Sequence, residues 1–234
     1  EWTGEGCWRY QLSRASGLIE IGTLHGHRVA LPLHFHAENQ ITFVVSGCRH
    51  FVIRGRDTRI PAGQGIMIPA GMPHCSLPTP EGVACVNAYV PAGEYAVAPL
   101  MREVAELWRS TGHLHEADLA GIVLRHLERP WPGIRAAADP VKPSVTLTAA
   151  REGQTREGFT RAFSRRHGMP PHAYWAIQRL NLARARLRNG EPLAGVAADM
   201  GFADQSHFGG AFRKVFGTTP GKFRAAMLVR SQIS

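Results

Sequence analysis

Two spacings of apolar residues divide the chain. Between residues 18 and 90, apolar positions come in short, β-branched or aromatic runs separated by turn residues. Ile41 to Val45 ends at Gly47, His50 to Ile53 leads into the turn Gly55-Arg56-Asp57, and the runs 66–68 and 83–90 follow. Such runs predict short strands, and many of them at close spacing predict a sandwich or small barrel. From Pro99 the spacing becomes helical, with Val104, Leu107 and Trp108 in one segment and Leu119, Ile122, Val123 and Leu127 in a second. These two helices are expected to cap the barrel or to form a dimer seam. Arg129 to Ser144 carries Pro130, Pro132, Pro140 and Pro143 and is predicted to be the linker.

The last ninety residues contain one short pattern twice. Phe159, Phe163, Gly168, Pro171 and Tyr174 return in order as Phe208, Phe212, Gly217, Pro220 and Phe223, each offset by 49 positions. Aromatic residues four apart share one face of a helix. The Gly-x-x-Pro after each pair stops that helix and restarts another with proline in its first turn. Short helices broken by tight turns, in tandem, predict paired helix-turn-helix units.

Charge changes the picture. From Val145 to Ser234 there are fourteen Lys and Arg against five Asp and Glu, while residues 1–144 hold thirteen of each, so the whole net charge of +9 lies in the repeated part. A basic segment of small helices is the electrostatic footprint of nucleic-acid binding. Apolar content is 44%, and no apolar run approaches the ~20 residues that span a bilayer, so no membrane segment is expected. Cys7, Cys48, Cys75 and Cys85 show no CxxC spacing, which is consistent with a reduced, cytosolic chain. A thiol redox sensor built on Cys48 or Cys75 is the less favoured reading. No Ser-His-Asp set, phosphate-cradling glycine loop or paired carboxylates stand out, so the strand region is the one place where catalysis is conceivable.

That region carries a histidine constellation. Gly26, His34, His36, Gln40 and Gly47 stand in one line, and Gly63, Pro69, Gly71 and His74 in another. Over roughly residues 20–90 these resemble the two cupin motifs, which bring imidazoles together inside a small barrel. Two departures stand out: Gln40 takes the place of the cupin glutamate ligand, and Pro78 stands where an asparagine often follows. His34 and His36 flank Phe35, so on a strand both imidazoles face one side. With His74 they would offer a three-nitrogen site for a divalent transition metal such as zinc, iron, nickel or copper. Alternatively His34, His36, Gln40 and His74 line an effector pocket without a metal.

A cupin-like barrel followed by this repeat resembles the AraC family of bacterial transcription regulators. The residues that carry the likeness run from Ala150, Thr155, Phe159, Arg161, Phe163, Gly168, Pro171 and Tyr174 through the helix Arg179 to Leu187. They continue with Val196, Ala197, Gly201-Phe202, Asp204, Ser206, Phe208, Phe212, Gly217, Pro220 and Phe223. The resemblance implies two helix-turn-helix units joined by one long helix, which set two recognition helices into adjacent major grooves. Thr155 and Asp204 suit the N-caps of those helices, Thr155–His167 and Asp204–Phe216. Pro170-Pro171 would start the connecting helix and Gly190 end it, with Tyr174, Ile177, Leu180, Ala183 and Leu187 as its apolar stripe.

In the first reader Arg156, Glu157, Thr160 and Arg161 are expected near base edges, with Arg165 and Arg166 on phosphates. In the second, Gln205, Ser206 and His207 occupy the exposed first turn, with Arg213 and Lys214 on phosphates. Gly209-Gly210 departs from the family pattern, which has a polar residue and commonly an arginine there, so this reader should lean on phosphates or DNA shape.

The expected architecture is therefore a mixed two-domain chain: an all-β cupin-like sensing barrel over 1–98, a helical and dimerisation segment with linker over 99–143, and an all-α tandem helix-turn-helix domain over 144–227. The expected function is a sequence-specific DNA-binding transcription regulator, not an enzyme. Its expected partners are double-stranded promoter DNA and a small-molecule effector. A homodimer through Leu100 to Leu127 and, for an activator, RNA polymerase complete the set. The alternative is a metal-dependent cupin enzyme or a metal or redox sensor carried on a DNA-binding domain.

Overall fold

The computed structural model describes residues 6–13, 20–130 and 143–228. The first half is strand-rich: β1 (Cys7–Leu12), β2 (Glu20–Gly26), β3 (Leu31–His34), β4 (Asn39–Ile53), β5 (Arg56–Pro61), β6 (Gly65–Ile68), β7 (His74–Ser76) and β8 (Val83–Val90). Every pairing among them is antiparallel, in the order β1-β2-β8-β4-β7-β3, with β5 and β6 also on β4. The first part of β4 pairs with β8 and β6, and its second part with β5 and β7, so one long strand serves both walls of a cupin half-barrel. Leu24, Val44, Phe51, Ile60, Ile68, Val83 and Cys85 pack between them.

The expectation that a strand ends at Gly47 is corrected. β4 runs through Gly47, which sits at φ +72 beside a register shift between Val44 and Ser46. A Cβ at Gly47 would collide with the carbonyl oxygen of Gly82. The glycine therefore allows a bend and a close backbone approach instead of a stop. The expected turn Gly55-Arg56-Asp57 also shifts. Arg54 (φ 51) and Gly55 (φ 73) form the two-residue connection, and Arg56 pairs with Ile53. Two successive left-handed residues match the twist of a tight hairpin.

Past β8 come β9 (Gly93–Tyr95), α1 (Val97–Thr111), α2 (Glu116–Arg125) and β10 (Leu127–Pro130). Leu100, Val104, Leu119, Ile122 and Val123 are buried against Ile21, Ile41, Phe43 and Ala88 of the sheet. Much of the apolar stripe considered for a dimer seam is thus turned onto the barrel. Leu127 does not extend α2, and Arg129 and Pro130 do not start a loop: all three lie in β10, which pairs with β9. Proline is tolerated there because β9 and β10 form a two-stranded sheet with free edges. Pro132 and Pro140 of the expected linker lie outside the described residues.

The second half is helical: α3 (Val145–Arg151), α4 (Arg156–His167), α5 (Pro171–Arg188), α6 (Leu193–Asp199), α7 (Gln205–Phe216) and α8 (Pro220–Leu228). The repeat has a local cause. Gly168 and Gly217 close α4 and α7 in the left-handed conformation, and Pro171 and Pro220 open the next helices. Phe208, Phe212, Phe216 and Phe223 pack with Leu180, Ala183, Leu187, Val196 and Ala197, and the same cluster takes in Tyr10 and Tyr89 from the barrel. The two halves share a hydrophobic core, so the helical half is seated on the barrel.

Candidate functional site

The two aromatic-anchored helices present their polar sides outward. Thr155 Oγ1 accepts the Gly158 backbone N–H at 3.1 Å, and Asp204 Oδ1 accepts that of His207 at 2.7 Å, so each helix is capped by the residue expected to cap it. Thr155, Arg156, Glu157, Arg161, Arg165 and Arg166 are exposed on and before α4, while Phe159 is buried. Thr160 is half-buried and its hydroxyl donates back to the Arg156 carbonyl at 2.8 Å, which occupies it within its own helix. On α7, Gln205, Ser206, His207, Gly210, Arg213 and Lys214 are exposed over a buried Phe208 and Phe212. The rings of His207 and Phe202 meet edge-on at 5.4 Å.

Geometry sorts the basic residues into two groups. Among the described residues, Arg156, Arg161, Arg165, Arg166, Arg213 and Lys214 have no carboxylate partner. Arg186 is instead paired with Glu191 and Asp199, at 2.5 and 2.7 Å, and Arg188 with Glu38 at 2.6 Å. Arg179 donates to the Met200 carbonyl at 3.1 Å and Arg224 to that of Gly190 at 2.8 Å. The charge excess is therefore partly structural, and most of its uncompensated share sits on α4 and α7, with Arg151 on α3 and Lys222 on α8 also outside any ion pair among the described residues.

The histidines meet inside the barrel. His34, His36 and His74 are 2%, 4% and 1% exposed, with ring centroids 4.4 to 5.3 Å apart. Nδ1 of His34 donates to the Pro32 carbonyl at 2.7 Å and Nδ1 of His74 to that of Met72 at 2.9 Å, which leaves Nε2 of each as the free acceptor. That anchoring is what metal-ligating imidazoles commonly have. His36 differs, because its Nδ1 accepts from Arg184 Nη1 at 3.1 Å, so in the neutral ring the proton is on Nε2. Gln40 spends its Nε2 on Thr42 Oγ1 at 3.0 Å and Asn87 Oδ1 at 3.3 Å, and its Oε1 has no hydrogen-bond partner.

Burial, then the neighbouring imidazoles and arginines, holds His34 and His36 well below the usual histidine range. His74 is lowered to about 4, mainly by burial. Arg49, 1% exposed, donates to the Val29 carbonyl at 3.0 Å and lies over the Phe51 ring. As arranged, the cluster offers two metal-ready nitrogens, a third ring oriented by a cation, an amide in place of a carboxylate, and two guanidiniums close by. The ligand atoms of the three histidines lie within 4.8 Å of one another, a grouping that could hold a metal ion, with Gln40 in place of a carboxylate. The three rings are neutral near pH 7 and form a polar, hydrogen-bonded lining. All four cysteines are free thiols, and burial pushes Cys85 up to about 11, away from the reactive thiolate.

A buried connection that the sequence did not suggest joins this cluster to α5. Arg184, 1% exposed, donates to Glu20 of β2 as well as to His36, and its guanidinium lies over Tyr89 at 4.2 Å and Phe216 at 4.8 Å. Arg188 bridges Glu20 at 3.0 Å and Glu38 at 2.6 Å, and Asn181 Nδ2 donates to the Phe35 carbonyl at 2.9 Å. Burial would raise the Glu38 carboxyl, but Arg188 and Arg184 hold it below its usual value. Tyr10 Oη donates to the Phe216 carbonyl at 2.7 Å. The available signal was position: Asn181 and Arg184 interrupt the Ile177, Leu180, Leu187 stripe on its buried side.

Comparisons with known proteins follow the same division. Residues 148–226 match the model of a helix-turn-helix domain and residues 21–79 that of a cupin domain. The probable transcriptional regulator LumQ of Photobacterium leiognathi is 36% identical over 67 residues, which are 28% of this chain and 27% of LumQ's length. Among solved structures, ToxT from Vibrio cholerae O395 covers 92% of this chain and 100% of its own, with a TM-score of 0.54 at 9% identity. Unsaturated fatty acid bound wild-type ToxT from Vibrio cholerae strain SCE256 covers 97% of this chain and 98% of its own, with a TM-score of 0.50 at 11% identity. At that identity the likeness to ToxT is one of fold. A cupin domain followed by a helix-turn-helix domain is thus what this chain shares with known proteins, in the order that its resemblance to AraC-type regulators implies.

Proposed function

We propose that this chain is a sequence-specific transcription regulator that binds double-stranded promoter DNA through α4 and α7 and senses a small-molecule effector through its N-terminal half. One observation carries the reading: six cations without a carboxylate partner among the described residues gather on two capped, like-built helices, while Arg179, Arg184, Arg186, Arg188 and Arg224 are held by carboxylates or carbonyls. The 18 residues of α5 make a rod of about 27 Å, a fitting spacer for two readers that address major grooves ~34 Å apart.

Arg156, Glu157 and Arg161 are the base-edge candidates of the first reader, with Thr160 beside them, and Gln205, Ser206 and His207 those of the second. Arg165, Arg166, Arg213 and Lys214 serve phosphates, with Gly210 letting the backbone of α7 approach the duplex. Within the barrel, His34, His36, Gln40 and His74 are the polar groups an effector would meet. Arg184 would pass a change there to α5. No described helix is long and apolar enough to cross a membrane. A cytoplasmic site of action, RNA polymerase as a further partner and pairing of two copies through residues 100–127 belong to the same reading.

Selection of bound sequences from a random duplex pool tests it. A defined motif should emerge, with binding of the selected duplex falling steeply between 50 and 200 mM salt. A pool that stays random, or binding flat across that range, would overturn the proposal.

A further inference from the structure

A second candidate site lies outside the barrel interior. A cavity of about 700 Å³ separates the outer face of β3 and β4 from the last turn of α4. Strand alternation puts it on the opposite side of the wall from the histidines. Leu33 points outward beside the inward His34, and Val52 beside the inward Phe51. Leu33, Val52 and Met72 give the cavity an apolar floor, and Leu33 is 43% exposed. Three arginines, Arg54, Arg165 and Arg166, are among the residues that line it. Arg54 is held over the floor, with its Nε donating to Met72 Sδ at 3.0 Å. No acidic residue lines the cavity, and none of the three arginines has a carboxylate partner among the described residues.

We propose that this cleft binds an amphipathic organic anion, with an acidic headgroup held by Arg54, Arg165 and Arg166 and an apolar body on Leu33, Val52 and Met72. The volume is that of a small-molecule site. Three unpaired guanidiniums disfavour a neutral occupant, and the apolar floor disfavours a bare inorganic anion. The C-terminus of α4 faces the same space with a partial negative charge of about half a unit, which three full positive charges outweigh. Guanidinium groups bind carboxylate and phosphate heads alike, so the chemistry fixes an acidic head without choosing between them.

The site has a regulatory consequence that rests on α4 being a DNA reader. Arg165 and Arg166 cannot hold a headgroup and DNA phosphates at once, so the occupied cleft weakens DNA binding.

Calorimetric titration of the full chain with octanoate, octyl phosphate, 1-octanol and inorganic phosphate tests the cleft, alongside Arg54→Ala and Leu33→Glu. Both substitutions lie outside the helices proposed to meet DNA. At least one of the two amphipathic anions should bind saturably, with octanol and inorganic phosphate at least tenfold weaker. Each variant should lose about tenfold in anion affinity while keeping its melting temperature and its affinity for the selected duplex. The cleft is refuted if neither anion binds, if octanol or inorganic phosphate binds as well as they do, or if both variants bind like the parent.

DNA anisotropy read in the same samples separates the two claims. Anion binding with unchanged DNA affinity removes the competition and keeps the site. Anion binding by a chain that selects no duplex keeps the site and removes the regulator reading.

Discussion

Arg184 and Glu20 form an ion pair that is almost wholly removed from solvent, with side chains 1% and 0% exposed, and it joins the connecting helix of the helical half to the second strand of the barrel. The guanidinium also touches His36 and four aromatic rings, so the interior of the barrel and the spacer between the two readers are in direct contact.

Removing one member of that pair leaves the other charge buried. Glu20→Met and Arg184→Met are each expected to cost about 3–5 kcal/mol, and the double replacement less than the sum of the two single changes. Urea unfolding of the two singles and the double supplies the cycle. Additive losses would mean that the pair is not coupled.

The depressed histidines set a pH dependence. His74 titrates near 4 in the folded chain and near 6.5 when unfolded, so between these values the unfolded state binds a proton that the native state does not. Stability is therefore fully present above about pH 6.5 and lost as pH falls. From 6.5 to 5 the loss from His74 alone is roughly 2 kcal/mol, and His34 and His36 act in the same direction. The urea midpoint should be lower at pH 5 than at pH 7.5, and His74→Gln should flatten the difference. Equal midpoints for the parent chain at the two pH values would contradict the assignment.

Different side chains of the readers should fail differently. Arg161→Ala is expected to cost about 1–3 kcal/mol on the selected duplex and to relax preference at one base pair. Arg213→Ala and Lys214→Ala should weaken binding to all duplexes alike and each lower the salt slope by about one. Anisotropy titrations at several salt concentrations, on the selected duplex and a scrambled one, distinguish the two patterns. Identical behaviour of the three variants would reject the division into base and phosphate contacts.

Glycines of the repeat divide the same way. Gly209 lies inside α7 with nothing within 4 Å of an added Cβ, so Gly209→Ala should raise stability by about 1 kcal/mol. Gly217 has φ +73, and its Cβ would come within 2.5 Å of Trp8, so Gly217→Ala should lower the melting temperature. Thermal unfolding of the two variants gives opposite signs if the packing of α7 against β1 is as described.

Local rules explain why so much of the helical half was legible. Caps, left-handed glycines and proline starts act within a few residues, so Thr155, Asp204, Gly168, Gly217, Pro171 and Pro220 marked the helix ends without tertiary information. The strands were harder to delimit. Gly47 looks like a stop from its neighbours alone, and only its approach to Gly82, thirty-five positions away, makes it a bend. Leu127 continues a helical spacing, but its backbone is claimed by Tyr95.

Chain order and composition determined which residues could form two like-capped readers and where the positive charge falls, while the meeting of three histidines within a strand-built shell was implied by the resemblance to the cupin motifs. Tertiary packing decided which of those charges remain available. The long-range contacts of Arg184 and Arg188 with carboxylates withdraw them from solvent partners, and the seating of α4 over the outer face of β3 and β4 creates an arginine-walled cleft. A charge is written in the sequence, but whether it is free depends on the fold, because the carboxylates that neutralise Arg184 and Arg188 come from the other half of the chain.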